Sequence, residues 1–175
     1  TVIAGHLLEA LRLKEIEVLV QFSSSEAYGS AKVVPMTESH PLDPHTPYAA
    51  GKAAADLLVR SYEETFGLRV LTLRPFDNYG PRQNQGLYAG VIPITMSRIL
   101  RGEPPMVQGS GRQTRDFVFV RDSARLAADL AARDELIGRT FNLCTGVEIP
   151  IVELIQRICA VAGYTGPITS APARP

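Results

Sequence analysis

Two residues spaced for acid–base chemistry, Tyr48 and Lys52, lie four positions apart in a segment with helical features. Residues four apart share one face of a helix. A phenol is a poor base near neutral pH because its usual pKa is about 10, and an ammonium group beside it stabilises the phenolate. A tyrosine that removes or returns a proton needs that arrangement. A half-buried tyrosine beside a solvated lysine has the same spacing, so the pair alone does not define a function.

A serine stands at a second position suited to the same chemistry. Ser24 follows the apolar run 18–22, which predicts a strand buried on both faces of a parallel sheet. Ligands of such sheets bind at the carboxyl ends of the strands, and we expect Ser24 at this end. A serine-rich turn without further function is the alternative.

The segment that carries the tyrosine–lysine pair has clear helix boundaries. Thr46 is suited to the N-cap, Pro47 to the first helical position and Gly67 to the C-terminal stop. These features predict a helix over residues 47–66. Small side chains along one flank would let a second helix approach closely, and we hypothesise a homodimer through this helix. The flank consists of Ala50, Ala54, Leu57 and Ser61.

The remaining pattern predicts an α/β fold. Strands and helices alternate with short joints, which favours right-handed βαβ units and a parallel sheet covered by helices. Helices are predicted at residues 1–14, 91–101, 123–133 and 151–162. A second buried strand is predicted at Arg69–Leu73, and short strands at Phe117–Val120 and Phe141–Leu143. We expect Asp122 to cap the helix that begins near Ser123. Residues 30–46 are predicted to form a long surface loop, a kind of segment that is usually functional, and residues 163–175 to end in a loop.

The composition is that of an ordinary soluble globular protein. The 175 residues include 18 Lys and Arg against 18 Asp and Glu, so the formal net charge is zero. This balance gives no basic surface for nucleic acid or an anionic membrane, and no apolar run approaches the roughly 20 residues of a membrane span. Cys144 and Cys159 form no disulfide framework, and neither they nor the three histidines have metal-ligand spacing. We therefore expect a cytoplasmic protein without a metal.

Four segments in order resemble the extended short-chain dehydrogenase/reductase family, in particular its NAD-dependent nucleotide-sugar epimerases and dehydratases. The segments are Phe22–Gly29 (FSSSEAYG), Pro47–Lys52 (PYAAGK), Arg74–Arg82 (RPFDNYGPR) and Gly109–Val120 (GSGRQTRDFVFV). The resemblance implies the later part of a doubly wound, Rossmann-like parallel sheet plus a small α/β substrate-binding region. Residues 1–80 would form the C-terminal half of a Rossmann-like NAD-binding domain, with the catalytic Ser, Tyr and Lys. Residues 81–175 would mostly bind a nucleotide-diphosphate sugar, with some elements returning to the sheet.

The resemblance implies a catalytic role for three of these residues. Tyr48 would deprotonate the sugar C4 hydroxyl while a hydride passes from C4 to the nicotinamide, and Ser24 would hydrogen-bond the same oxygen. Lys52 would bind the nicotinamide ribose and stabilise the phenolate. Together with Phe76, these residues would contact NAD, which carries the redox chemistry.

Glu26 and Ser25 bear on the reaction that follows. By the same resemblance, family dehydratases carry Glu two positions after the catalytic Ser or Thr, as base for the C5 proton, and many carry Asp before it as acid for the C6 hydroxyl. Glu26 occupies the first of these positions, and Ser25, a substrate contact, occupies the second. The Ser-Glu pair is more similar to GDP-mannose-type dehydratases and UDP-glucuronate decarboxylases than to dTDP-glucose dehydratases. We favour 4,6-dehydration, then 4-epimerisation, then decarboxylation; alternatively, Glu26 only caps local backbone amides.

The substrate-binding residues are also implied by the resemblance. Arg115 corresponds to the family arginine that clamps the substrate diphosphate, a task that suits the guanidinium fork; an exposed salt bridge is the alternative. Val91 and Met106 lie in segments that approach the nucleotide base, although core packing explains them equally well. The family commonly has Asn where this chain has Asp77. Because a carboxylate repels a diphosphate, we expect either that Asp77 turns away and Asn78 takes over that contact, or that the substrate differs.

The Gly-rich turn that holds the NAD pyrophosphate in this family, G-x-x-G-x-x-G, does not occur in the sequence. Since the first residue is also Thr rather than Met, we expect the middle and later part of an enzyme nearly twice as long. Two interpretations stay open. The chain is either the catalytic and substrate half of an NAD-dependent enzyme, or a non-catalytic fragment or module that binds a nucleotide sugar. Ser24, Tyr48 and Lys52 favour the first.

Overall fold

The computed structural model describes residues 1–14, 16–84 and 89–173. The chain divides into two compact units, the first formed by Thr1–Phe76 with Arg121–Cys144 and the second by Asp77–Val120 with Thr145–Pro175. The sequence predicts a functional boundary at residue 80, and the first unit gives way to the second between Phe76 and Asp77. The assignment of functions to these parts stays a prediction.

Helices and strands alternate along the described residues. The helices are α1 Val2–Leu13, α2 Pro47–Phe66, α3 Val91–Leu100, α4 Val120–Ala131 and α5 Ile151–Val161. The strands are β1 Leu19–Phe22, β2 Val70–Pro75, β3 Asp77–Tyr79, β4 Met106–Gln108, β5 Thr114–Arg115, β6 Phe117–Phe119, β7 Thr140–Leu143, β8 Ile149–Pro150 and β9 Thr169–Ala171. Short 3₁₀ helices cover Ser25–Tyr28 and Asp134–Leu136.

The first unit is built on a parallel sheet with the strand order β1-β2-β7. Alternate side chains of β2 point to opposite faces of the sheet. Val70 packs with Leu8, Leu11 and Val59 from α1 and α2. On the other face, two leucines of β2 pack against α4 and β7, in a cluster formed by Leu71, Leu73, Ala127, Leu130 and Leu143. Helices therefore cover both faces of a parallel sheet, as the sequence predicts.

Strand β1 is less buried than predicted. Its residues are partly buried, and its last residue, Phe22, is 47% exposed. In the described residues, β1 is an edge strand that pairs with β2 alone, whereas β2 lies between two strands and is almost entirely buried. The expectation of a strand buried on both faces is therefore correct for β2 and wrong for β1.

Helix α2 has the predicted boundaries, Pro47 and Phe66. The Thr46 hydroxyl accepts a hydrogen bond from the Ala49 amide at 3.1 Å, and Gly67 ends the helix in the left-handed conformation at φ 65°. A residue with a Cβ is disfavoured there. These local contacts fix the start of α2 and thereby place Tyr48 and Lys52 in its first two turns.

The second unit combines three strand pairs with two helices. Strands β3 and β6 pair in parallel, as do β4 and β9, while β5 and β8 are antiparallel. Helices α3 and α5 pack around a small core whose buried members are Val107, Ile155 and Cys159. The loop predicted over residues 163–175 contains strand β9, because the amide of Thr169 donates to the Pro105 carbonyl at 2.9 Å. Residues 174 and 175 lie outside the described residues.

The start of α4 also differs from the prediction. The helix begins at Val120, directly after β6, so Asp122 lies in its first turn and does not cap it. The Asp122 carboxylate instead accepts from Arg125 Nη2 at 3.0 Å. A negative charge is favourable both at the N-cap and in the first turn of a helix. The presence of an Asp therefore does not by itself show at which residue the helix begins.

Candidate active site

Lys52 is held between the end of β1 and the ring of Tyr48. Its Nζ donates to the carbonyl oxygen of Phe22 at 2.7 Å and lies 5.8 Å from the centroid of the Tyr48 ring. The first turns of α2 are thereby fastened to the carboxyl end of β1. The ammonium group of Lys52 thus lies over the ring of Tyr48, and the acid–base role of the two residues stays a prediction.

Tyr48 and Lys52 line one groove of about 400 Å³ in the first unit. Phe22 at the end of β1 and Ile3 and Leu7 of α1 also contribute to its lining. Tyr48 is 60% exposed, so a molecule in this groove can contact its side chain. The groove combines an ammonium donor and a phenol with apolar surface.

Ser24 begins a short 3₁₀ helix two residues after Phe22. Its Oγ accepts from the Glu26 amide at 3.2 Å, so the side chain acts as the N-cap. Ser24 is only 8% exposed, whereas the side chain of Glu26 faces solvent and Ser25 is partly buried. An accepted hydrogen bond leaves the Ser24 hydroxyl hydrogen free to donate elsewhere.

A buried polar network, which the sequence did not indicate, joins the elements that carry these residues. Arg74 Nε donates to Asp56 Oδ2 at 2.9 Å, and its Nη1 donates to the Tyr28 hydroxyl at 2.9 Å. Tyr28 in turn donates to Asn142 Oδ1 at 2.7 Å. Asp56 lies one helical turn beyond Lys52, and Tyr28 ends the 3₁₀ helix that Ser24 begins. The network therefore links the serine segment to α2.

Two members of the network have shifted pKa values. Burial raises the pKa of the Tyr28 phenol above its usual value, although the hydrogen bond from Arg74 acts in the opposite direction. Burial also disfavours the charged form of Arg74, but hydrogen bonds to Tyr28 and Asp56 outweigh it and raise the pKa of the guanidinium. Tyr28 therefore stays a neutral donor and Arg74 a cation.

The long loop at residues 30–46 is attached to the same network. The backbone amide of Asn142 donates to Glu38 Oε1 at 2.8 Å, and the side-chain Nδ2 of Asn142 donates to the Met36 carbonyl at 3.0 Å. Arg74 Nη1 also reaches the Glu38 carbonyl at 3.2 Å. The described structure thus ties this loop to β2 and β7.

In the second unit, Arg115 lies beside the carboxylate of Asp77, so the expectation that Asp77 turns away from the predicted diphosphate site is wrong. Arg115 Nε is 3.7 Å from Asp77 Oδ2, and both side chains are about half exposed. Arg115 Nη1 also donates to the Thr114 carbonyl at 2.9 Å. The neighbouring Asp116 is buried and its carboxylate accepts from the Thr145 amide and hydroxyl and the Gly146 amide. Asp116 thereby fixes the backbone next to Arg115, a positioning role that the sequence did not indicate.

Two adjoining cavities of the second unit contain four of the five predicted substrate-binding residues, all except Ser25. Asn78, Val91 and Arg115 line a cavity of about 170 Å³ together with Asp77. Val91, Met106 and Arg115 line a second cavity, of about 290 Å³. The structure therefore brings these residues together, while their roles stay predictions.

Phe76 is the remaining predicted contact to NAD. Phe76 is partly buried, and its amide donates to the Leu143 carbonyl at 3.0 Å, which fixes its backbone at the end of the first unit's sheet.

Among the described residues, no cluster of three or more His, Cys, Asp or Glu side chains is placed to hold a metal ion. No helix within the same residues has the length and apolar character to cross a membrane.

The chain belongs to the NAD dependent epimerase/dehydratase family, whose model matches residues 1–144. This confirms the family resemblance, and it confirms NAD as the cofactor of the family. The groove of Tyr48 and Lys52 fits the nicotinamide riboside end of that cofactor, because it offers a cationic donor beside apolar surface.

Two curated relatives have different named roles. The chain is 38% identical over 157 residues to the low-salt glycan biosynthesis protein Agl12 of Haloferax volcanii, a match that covers 90% of this chain and 49% of the relative. It is 38% identical over 140 residues to a dTDP-glucose 4,6-dehydratase of Xanthomonas campestris, which covers 79% of this chain and 39% of that protein. The chain thus spans half the length of these relatives or less.

Solved structures confirm the predicted Rossmann-like α/β fold. A UDP-N-acetylglucosamine 4-epimerase from Methanobrevibacter ruminantium, in complex with UDP-N-acetylmuramic acid, superposes with a TM-score of 0.92 at 34% identity, covering 98% of this chain and 55% of that one. A dTDP-glucose 4,6-dehydratase from Bacillus anthracis, in complex with NAD, gives a TM-score of 0.89 at 30% identity with the same coverage. Both an epimerase and a dehydratase therefore share this fold.

Proposed function

We propose that this chain supplies the catalytic and substrate-binding residues of an NAD-dependent enzyme that oxidises the C4 hydroxyl of a nucleotide-diphosphate sugar. The observation that carries the proposal is the placement of Lys52, whose ammonium group lies between the Phe22 carbonyl and the Tyr48 ring. This placement gives the phenol a cationic neighbour, as a tyrosine base requires.

The proton chemistry falls to residues of the first unit. Bound NAD supplies a reversible hydride acceptor for the sugar carbon. Tyr48 takes the proton of the C4 hydroxyl, Lys52 stabilises the resulting phenolate and binds the ribose, and the Ser24 hydroxyl orients the same sugar oxygen. Oxidation at C4 yields a 4-keto sugar, whose C5 hydrogen is acidified by the adjacent carbonyl.

The nucleotide end of the substrate is assigned to the second unit. Arg115 would hold the diphosphate with its planar fork, and Asn78 would donate to it from the same cavity. Val91 and Met106 would contact the base through the neighbouring cavity. Relatives named for dTDP-glucose and UDP-sugars are consistent with a pyrimidine nucleotide.

Glu26 favours 4,6-dehydration as the particular reaction. Its carboxylate is exposed and follows Ser24 by two residues, which suits removal of the C5 proton so that the C6 hydroxyl leaves as water. Ser25 stands where an acidic residue would assist that departure. The second candidate is 4-epimerisation, which the solved 4-epimerase relative supports, and the third is decarboxylation of a UDP-glucuronate.

Product analysis separates these reactions. The full-length protein would be supplied with NAD and, in turn, dTDP-glucose, UDP-glucose, GDP-mannose and UDP-glucuronate, and the products followed by NMR and mass spectrometry. Dehydration removes one molecule of water, epimerisation leaves the mass unchanged and decarboxylation releases carbon dioxide. Failure to convert any nucleotide sugar, in a preparation that binds NAD, would contradict the enzymatic proposal and favour a binding module.

A homodimer and a cytoplasmic location complete the proposal. The flank of α2 expected to meet a second helix is largely exposed in this chain, with Leu57 58% exposed and Ala50 and Ser61 also facing solvent. An apolar residue between small ones suits close packing of two helices. The neutral charge balance favours neither nucleic acid nor a membrane surface as a partner.

A further inference from the structure

Asp77 introduces a negative charge into the anion subsite assigned to Arg115. Asp77 is the first residue of β3 and Arg115 the last of β5, and their side chains form an ion pair of 3.7 Å at one cavity. At the position of Asp77 the resembled family commonly has an uncharged Asn. This chain therefore differs from the family pattern at a side chain that contacts the diphosphate-binding arginine.

The pair is of a kind that a ligand can rearrange. Both side chains are about half exposed, and exposed ion pairs contribute little to stability because water and salt screen them. A phosphate group approaching Arg115 would gain a charge-assisted hydrogen bond and would also meet the Asp77 carboxylate. The strength of that repulsion grows with the charge of the ligand.

We propose that Asp77 is a specificity-determining residue that disfavours free nucleoside diphosphates relative to nucleotide-diphosphate sugars. This inference rests on the proposed function, in which Arg115 binds the diphosphate. A sugar diester carries two negative charges, whereas a free nucleoside diphosphate gains a further one because its terminal phosphate ionises with a pKa near 6. The carboxylate of Asp77 therefore repels the free nucleotide more strongly.

The consequence is functional. A 4-keto or epimerised product keeps its sugar diester, but free nucleoside diphosphates share its base and both phosphates and would otherwise compete for Arg115. Asp77 lowers that competition at the expense of some affinity for the sugar diester. A neutral Asn at the same position would bind both ligands more tightly and separate them less well.

The test compares Asp77→Asn with the wild-type full chain by calorimetric titration at pH 8. The probes are UDP and UDP-glucose, dTDP and dTDP-glucose, and the uncharged nucleosides uridine and thymidine. We expect Asp77→Asn to lower the Kd of the free diphosphates about tenfold, equivalent to ~1.4 kcal/mol, and the Kd of the sugar diesters about threefold. The uncharged nucleosides should bind unchanged. The gains should shrink between 0.05 and 0.5 M salt, because the Debye length shortens.

Three controls keep the outcomes distinct. Glu153→Gln removes an equal charge from an exposed ion pair with Arg157 in the same unit and should change no affinity. Asp77→Ser provides a second neutral variant in case Asn disturbs β3. Arg115→Gln should weaken every diphosphate ligand.

Equal affinities of wild type and both neutral variants for UDP and dTDP would overturn the inference. If Arg115→Gln still lost diphosphate binding in that case, the proposed function would stand. If Arg115→Gln bound every diphosphate like the wild type, the substrate assignment would fail and the inference with it.

Discussion

Arg74 Nε donates to Asp56 Oδ2 at 2.9 Å, and this buried ion pair joins β2 to α2 one turn beyond Lys52. The same guanidinium reaches Tyr28, at the end of the short helix that Ser24 begins. The elements that carry the candidate catalytic residues of the first unit are thus connected through one cation.

Asp56→Ala should destabilise the protein strongly. Removing one partner of a buried ion pair leaves an uncompensated charge, which costs about 3–5 kcal/mol. The free energy of unfolding, measured by urea denaturation, tests this value. Arg125→Gln provides the control, because it breaks an exposed pair with Asp122 and should change stability little. Equal, small losses in both variants would show that the buried pair has no special role.

Glu63→Gln should stabilise the protein at alkaline pH. Burial raises the pKa of the Glu63 carboxyl, so between its unfolded and folded pKa values the folded protein holds a proton that the unfolded chain has released. Stability is therefore full below the unfolded value and falls as the pH rises through the folded one. The variant should melt at a higher temperature than the wild type at pH 8, and the two should converge near pH 4.

The neighbouring Glu64 supplies a matched control for that pH profile. Glu64 is exposed and pairs with Arg60 at 2.8 Å, so Glu64→Gln has no buried charge to relieve. Its melting temperature should not exceed that of the wild type at pH 8. If the melting temperatures of Glu63→Gln and the wild type changed with pH in the same way, the assignment of the pH dependence to Glu63 would be refuted.

Glu26→Gln should stop dehydration and leave 4-epimerisation largely intact. The carboxylate is proposed to remove the C5 proton, a step that epimerisation at C4 does not need, and loss of a general base lowers turnover by about 10²–10⁴-fold. The ratio of dehydrated to epimerised product, measured by NMR in the full-length protein, reports the effect. Glu17→Gln, another exposed carboxylate ahead of β1, should leave the ratio unchanged. If Glu26→Gln dehydrated the substrate as fast as the wild type, another group would be the base that removes the C5 proton.

Leu57→Arg should convert a homodimer to a monomer if α2 forms the interface. A buried, unpaired arginine is strongly unfavourable between two helices, and Leu57 is exposed in the single chain. Light scattering at several concentrations measures the change. Leu126→Arg, at an exposed leucine of α4, should retain the wild-type mass. A wild-type protein that is already monomeric would remove the hypothesis.

The sequence predicted features that depend on local chemistry. The cap at Thr46, the stop at Gly67 and the burial of β2 each follow from residue type and near neighbours. The family motifs also led to Arg115 and Val91, which the structure places at one cavity.

Features that depend on distant contacts could not be read in the same way. Arg74 meets Asp56 and Tyr28 across separations of 18 and 46 residues, and no periodicity marks such pairs. The predicted strand ended at Leu73, before Arg74; a charged residue within a buried strand is the kind of local sign from which a buried partner could have been inferred. Strand β9 forms only because β4 lies beside it, so its Pro- and Gly-rich surroundings predicted a loop.

The proton transfer by Tyr48 is the central claim, and turnover of Tyr48→Phe tests it most directly. In the full-length protein supplied with NAD and a nucleotide sugar that the wild type converts, this variant should lose at least about a hundredfold in kcat. Tyr62→Phe is the matched control, since it removes a hydroxyl that binds Glu9 roughly four turns further along α2, and it should retain turnover. Near-normal kcat for Tyr48→Phe, with NAD bound and the fold intact, would contradict the proposed chemistry.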